Sequence, residues 1–163
     1  MKRLPISRAR DAVLSRKAAA AKVKRAQRAG ERVVFTSGCF DLLHVGHVRS
    51  LEEAASYGNR LVVGVNSDAS VRRLKGAKRP IVPARQRAEM LAALHCVDWV
   101  LIFGGATPRA TLAALSPDVF AKGGDWPLHV LRANDVPPGL DIEIRRLRQI
   151  PGLRTTLLLE RVR

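Results

Sequence analysis

The sequence predicts an α/β fold in which one parallel, five-stranded sheet, in the order 3-2-1-4-5, lies between two layers of helices. Short β-branched runs alternate with segments of helical periodicity along the body of the chain, the pattern of parallel strands joined by crossover helices. The 163 residues are enough for one domain with a full hydrophobic core. The first strong strand also runs directly into a glycine-bearing turn and a helix, the kind of junction at which open α/β sheets bind ligands.

Taken in order, residues 1–30 are rich in Ala, Lys and Arg and read as a basic helical arm. Ser7 is its N-cap, the alanines at 18–21 propagate the helix, and Gly30 ends it. Three readings stay open for the arm: packing on the sheet, packing on a second subunit, or a partly disordered basic tail. Residues 31–163 form the main domain. Strands are expected at 32–36, 60–66, 99–103, 119–121 and 141–146. Helices are expected at 47–56, 83–95 and 108–115, the last with Thr107 as N-cap and Pro108 at the first helical position. This order makes the ends of the first and fourth strands neighbours, so that Gly38 to His47 and Lys122 to Asp125 line one crevice. No internal repeat and no linker suited to a second domain is visible.

Bulk properties exclude some classes. No run approaches the eighteen apolar residues of a membrane helix, and Met1-Lys2-Arg3-Leu4-Pro5 lacks the apolar stretch of a signal peptide. Two widely separated cysteines make no disulfide framework. A cytoplasmic location without a membrane partner is the expectation. The net charge of +15 raises nucleic-acid binding. However, the basic residues are spread along the chain with few aromatics between them for base stacking, and a site for anionic substrates needs some of the charge. No specific nucleic-acid partner is expected.

The chemistry concentrates in Gly38-Cys39-Phe40-Asp41-Leu42-Leu43-His44-Val45-Gly46-His47. Both histidines fall where strand becomes helix, where unpaired N–H groups and the positive end of the helix dipole favour phosphate. Gly46 lets a ligand approach the backbone without meeting a Cβ. A zinc reading needs further ligands, and Cys39, Cys96, His95 and His129 offer no such spacing. Neither GxGxxG nor GxxxxGK[ST] follows the strand, which disfavours dinucleotide and P-loop sites.

With its flanks, this stretch resembles the HxGH nucleotidyltransferase superfamily, and within it the adenylyltransferases that form ADP-heptose from a heptose 1-phosphate. The likeness runs in order through Phe35-Thr36-Ser37-Gly38-Cys39-Phe40-Asp41, Val63-Gly64-Val65-Asn66-Ser67-Asp68 and Val71-Arg72-Arg73-Leu74-Lys75-Gly76. It continues through Arg79-Pro80-Ile81, Arg87-Ala88-Glu89, Val97-Asp98, Thr107-Pro108, Pro117-Asp118 and Lys122-Gly123-Gly124-Asp125. The resemblance implies a Rossmann-like three-layer fold and transfer of AMP from ATP to a sugar 1-phosphate, with release of pyrophosphate. Such a reaction is helped by placing two anions in line and stabilising the charge that develops.

The resemblance also implies the roles. His44, His47 and Lys75 are the catalytic candidates. Gly38, Cys39, Phe40, Asp41, Gly46, His47, Lys122, Gly123, Gly124, Asp125, Thr155 and Thr156 are candidates for the nucleotide, and Asn66, Lys75 and Arg87 for the acceptor. Lys75 also reads as a surface lysine in a glycine-bounded loop, and Arg87 as one half of an ion pair. Asp41 reads as an indirect Mg²⁺ ligand, a support for the first histidine or a helix cap. The cofactor Mg²⁺ is expected mainly on substrate phosphates, with no protein metal ligand assigned. A separate sugar kinase and a homodimer are further expectations. Three departures from the family pattern stand out: Ser37 where Asn is common, Arg154 where Ser precedes Thr155-Thr156, and a short segment at 126–152. They leave open a CTP-dependent enzyme acting on glycerol 3-phosphate or a similar small phosphate, and a non-catalytic nucleotide- or nucleic-acid-binding protein.

Overall fold

A computed structural model describes residues 8–124 and 126–148. Its elements are α1 (Arg8–Asp11), β1 (Val13–Leu14), α2 (Arg16–Arg28), β2 (Val33–Gly38), α3 (Val45–Ala55), β3 (Arg60–Asn66) and α4 (Asp68–Lys75). They continue with α5 (Ala84–Ala92), β4 (Trp99–Phe103), α6 (Arg109–Leu115), β5 (Val119–Gly123), α7 (Leu128–Asp135) and β6 (Glu143–Leu147). The strands form one parallel sheet in the order β1-β4-β3-β2-β5-β6. The chain therefore has the three-layer, Rossmann-like α/β/α fold.

The five expected strands occur in the expected order, and a sixth joins them. Val13 pairs with Val100 and Leu14 with Leu101 on β4, within the segment read as a helical arm, where no strand was expected. Two residues are too few to show the alternation that marks a strand in sequence. The long helix of this segment begins after Ser15, whose hydroxyl accepts from Ala18 N at 3.2 Å.

Side-chain alternation in the strands makes two cores. Val34, Leu61, Val63 and Val65 pack with Leu51 of α3 and Ala88 and Leu91 of α5 on one face. Val33, Phe35, Val62 and Phe120 meet Ala19 and Val23 of α2 and Leu112 and Leu115 of α6 on the other. The first face fixes α3, whose N-terminus carries the two histidines.

Three local expectations are corrected. Residues 68–75 are helical, with Ser67 as N-cap, so Lys75 closes a helix rather than occupying a loop. Helix α5 stops at Ala92. Pro108, not Thr107, occupies the N-cap of α6, without a side-chain cap bond. No helix among the described residues is long and apolar enough to cross a membrane.

Candidate active site

The site is built on the turn from β2 to α3. A Cβ on Gly38 would lie 3.0 Å from the Phe40 ring, so glycine makes room for that ring. Phe40 has φ +47°, a left-handed conformation that costs energy for a bulky residue. Its ring meets His47 edge-on, with centroids 5.4 Å apart and 65° between the planes. Strained backbone thus places an aromatic ring beside an imidazole.

The histidines cap their own helix. His44 is the N-cap of α3, and its Nδ1 accepts from Gly46 N at 3.1 Å. His47 Nδ1 accepts from His44 N at 3.4 Å. This is the reciprocal arrangement of a capping box made with imidazoles. Because each Nδ1 accepts, each neutral ring carries its hydrogen on Nε2. Burial pushes His44 below its ordinary pKa. Burial, with smaller contributions from His44 and the Lys75 charge, pushes His47 down to about 4. Near neutral pH the turn therefore holds two uncharged rings whose Nε2–H groups are not consumed by the cap. The Gly46 N–H serves the cap.

Behind the turn lies an ionic scaffold. The Asp41 carboxylate is buried, accepts from Ile81 N at 2.7 Å and Val82 N at 3.0 Å, and pairs with Arg79. Asp41 therefore binds the loop before α5, and its oxygens are occupied by protein donors. Arg87, expected beside the acceptor, is completely buried. It donates to Val82 O at 2.7 Å, to Asp68 Oδ1 at 2.7 Å and to the Cys39 carbonyl. Asp68 Oδ1 also accepts from Ala84 N at 2.8 Å. The guanidinium braces the turn from behind and presents no surface to a substrate. Asp68 and Arg79 hold scaffold roles that sequence reasoning missed.

The end of β3 completes this side. Asn66 is buried, and its Nδ2 donates to Ser70 Oγ at 2.9 Å. Ser70 Oγ in turn donates to Gly105 O at 2.8 Å. Burial raises the Cys39 thiol above its usual pKa, which opposes a nucleophilic role. Lys75 is exposed at the end of α4, and its charge acts on both His47 and Cys39.

On the other side, Thr36 of β2 is in register with Ala121 of β5, so Gly38 and Gly123 each lie two residues further along adjacent strands. Lys122 Nζ pairs with the buried Asp135 of α7 at 2.5 Å, a partner that sequence reasoning missed. A Cβ on Gly123 would meet nothing within 4 Å, and Gly124 turns the chain at φ +113°. Asp125, Thr155 and Thr156, like Arg154, lie outside the described residues. Among the described residues no three His, Cys, Asp or Glu side chains group to hold a metal. A shallow cavity of about 270 Å³ lined by Arg10, Val13, Arg85, Glu89 and Ile102 lies toward the β1 edge of the sheet, not at the histidine turn.

The chain is 47% identical over 146 residues to the bifunctional protein HldE of Geotalea uraniireducens, covering 90% of this chain and 30% of that protein. It is 50% identical over 138 residues to the bifunctional protein HldE of Methylococcus capsulatus, covering 84% and 29%. The chain thus spans about three tenths of the length of these relatives. A crystal structure of a lipopolysaccharide core biosynthesis protein from Thermoplasma volcanium superposes with a TM-score of 0.66 at 28% identity, covering 74% of this chain and 99% of that one. The profile of the cytidylyltransferase-like family matches residues 35–157, and the chain belongs to that family of nucleotidyltransferases.

Proposed function

We propose that the protein transfers AMP from ATP to a heptose 1-phosphate, giving ADP-heptose and pyrophosphate by in-line attack on the α-phosphorus. The observation that carries this reading is the pair of neutral imidazoles at the N-terminus of α3, each with an unused Nε2–H. Donors fixed in advance at the place where phosphate charge grows stabilise a transition state without reorganising. The sugar phosphate needs no general base, because a phosphate monoester is largely ionised near neutral pH. Lys75 at the end of α4 supplies further positive charge. The likeness to the two HldE proteins supports the sugar phosphate as acceptor.

Mg²⁺ enters this reading on the oxygens of the triphosphate, where it neutralises charge and keeps several waters. No described side chain is assigned to it: the Asp41 carboxylate is taken up by Arg79 and the 81–82 backbone. Thr155 and Thr156 are assigned to the triphosphate on sequence alone. Supply of the sugar phosphate falls to a kinase outside these residues. A homodimer and a cytoplasmic location complete the reading.

The family profile favours a second reading, a cytidylyltransferase acting on glycerol 3-phosphate or a similar small phosphate. Pyrophosphate release from a panel of nucleotides and phosphorylated acceptors with Mg²⁺ separates the two. ATP with D-glycero-D-manno-heptose 1-phosphate is expected to be the faster pair by about 10⁴-fold, since a site built to bond sugar hydroxyls rejects an acceptor lacking them. A faster CTP–glycerol 3-phosphate pair replaces the first reading with the second. Absence of turnover with every pair leaves a nucleotide-binding protein without catalysis.

A further inference from the structure

Trp126 stands out because nothing in the fold explains its exposure. Its side chain is 55% exposed, and no other Phe, Tyr or Trp among the described residues is exposed. The chain's other tryptophan, Trp99, packs at the edge of the second core with the Arg60 guanidinium 6.0 Å from its ring centroid. Leaving a ring of this size in water forfeits the burial that normally stabilises a fold.

Its position is set by the candidate site. Trp126 lies three residues beyond Gly123, and so within about 11 Å of the end of β5. That end neighbours the end of β2, where the histidine turn begins. The connection carrying Trp126 is anchored on both sides. Lys122 before it pairs with Asp135 after it at 2.5 Å, and Arg132 of α7 donates to Ile142 O at 2.8 Å. Between these anchors, Gly123 leaves open space and Gly124 makes the turn. The two ends of the connection are therefore held while the indole is left more than half exposed.

We propose that Trp126 is a nucleobase platform: its indole stacks on the base of the nucleoside triphosphate whose phosphates lie at His44 and His47. This rests on the nucleotidyltransferase reading of the same site. The two sides of the histidine turn differ in chemistry. On the α4 side is the Lys75 cation, whose charge reaches His47, suited to phosphate. On the β5 side are the bare backbone of Gly123 and the Trp126 ring, suited to a flat, weakly polar group. Stacking is tolerant of base identity because every base has a π-face. The platform therefore contributes affinity for all four nucleotides, and edge contacts made elsewhere select among them.

The test uses the full-length protein and its own fluorescence. Mg·ATP is expected to quench tryptophan emission in the native protein. Trp126→Ala, which retains Trp99, should lose that quench and bind ATP about tenfold more weakly by calorimetry. Trp126→Phe should recover most of the affinity. Inorganic tripolyphosphate, which has no base, should bind the native protein and Trp126→Ala equally, and the KM of the phosphorylated acceptor should change less than twofold. Unchanged ATP affinity in Trp126→Ala overturns the platform while leaving the nucleotide site intact. An equal loss of affinity for ATP and tripolyphosphate overturns it too, because the residue would then support the phosphate site. Failure of the native protein to bind any nucleoside triphosphate overturns the site reading and the platform together.

Discussion

The His44 and His47 rings stack with their centroids 3.8 Å apart and 26° between their planes. Two imidazolium ions could not share this arrangement cheaply, since like charges so close repel strongly where solvent is reduced. Two neutral rings can, and the backbone N–H groups on the Nδ1 atoms make the neutral state the natural one. The helix cap and the candidate catalytic donors are thus one structure. The bonds that start α3 also fix the tautomer of both rings and leave Nε2–H to act.

This arrangement makes folding stability depend on pH in a defined window. The folded pKa of His47 is about 4, below the ordinary 6.5. The native state therefore resists a proton that the unfolded chain accepts. Above pH 6.5 the residue contributes no slope. As pH falls from 6.5 toward 4 the unfolded state binds more protons and stability declines. His44, also shifted down, acts in the same direction. Urea midpoints should fall between about pH 7 and pH 5, and His47→Gln should flatten the decline. Heteronuclear NMR should show Nε2–H in both neutral rings. An Nδ1–H signal from either ring, or a midpoint indifferent to pH, contradicts the cap geometry.

Removing one donor should act on the chemical step. His44→Ala and His47→Ala are each expected to lower kcat by about 10²–10³-fold, the effect of deleting one preorganised oxyanion donor. Saturation kinetics with both substrates provide the measurement. A near-normal kcat with only a raised KM would reduce the histidines to ground-state binding groups.

The sequence showed the histidine turn clearly and its supports hardly at all. The strand 33–38, the glycine and the helix after it are consecutive, so local pattern reports them. Four of the five longer strands are legible for the same reason, because each places several apolar side chains in series, as Leu61, Val62 and Val63 do; β6 has only Ile144 and Leu147. Helix α4 is different: its buried residues are only Ser70 and Val71, too short a stripe to show a helical period. The scaffold is the least legible part. Asp41 meets Arg79 and the backbone of Ile81 and Val82 across about forty residues. With 29 Lys and Arg available to 14 Asp and Glu, sequence alone cannot say which cation an acid will take. Lys122 and Asp135 illustrate the same point, since their pairing exists only once α7 folds back on β5.

Arg87 separates a supporting role from a binding one. Its guanidinium is buried among the Cys39 and Val82 carbonyls and the Asp68 carboxylate. Arg87→Met removes the donor from all three and leaves buried acceptors unpaired. Breaking a buried ion pair by removing one partner costs about 3–5 kcal/mol. The lower end is expected here, because the Asp68 side chain is 35% exposed and regains water. Arg87→Lys should recover only part of the loss, since an ammonium cannot reproduce a guanidinium fork that reaches three acceptors. Because the Cys39 carbonyl belongs to the turn that leads to His44, kcat should fall in both variants while the acceptor KM changes little. Urea unfolding read alongside substrate kinetics gives both quantities. If stability is intact and only the acceptor KM rises, Arg87 contacts the substrate and the buried brace is not its role.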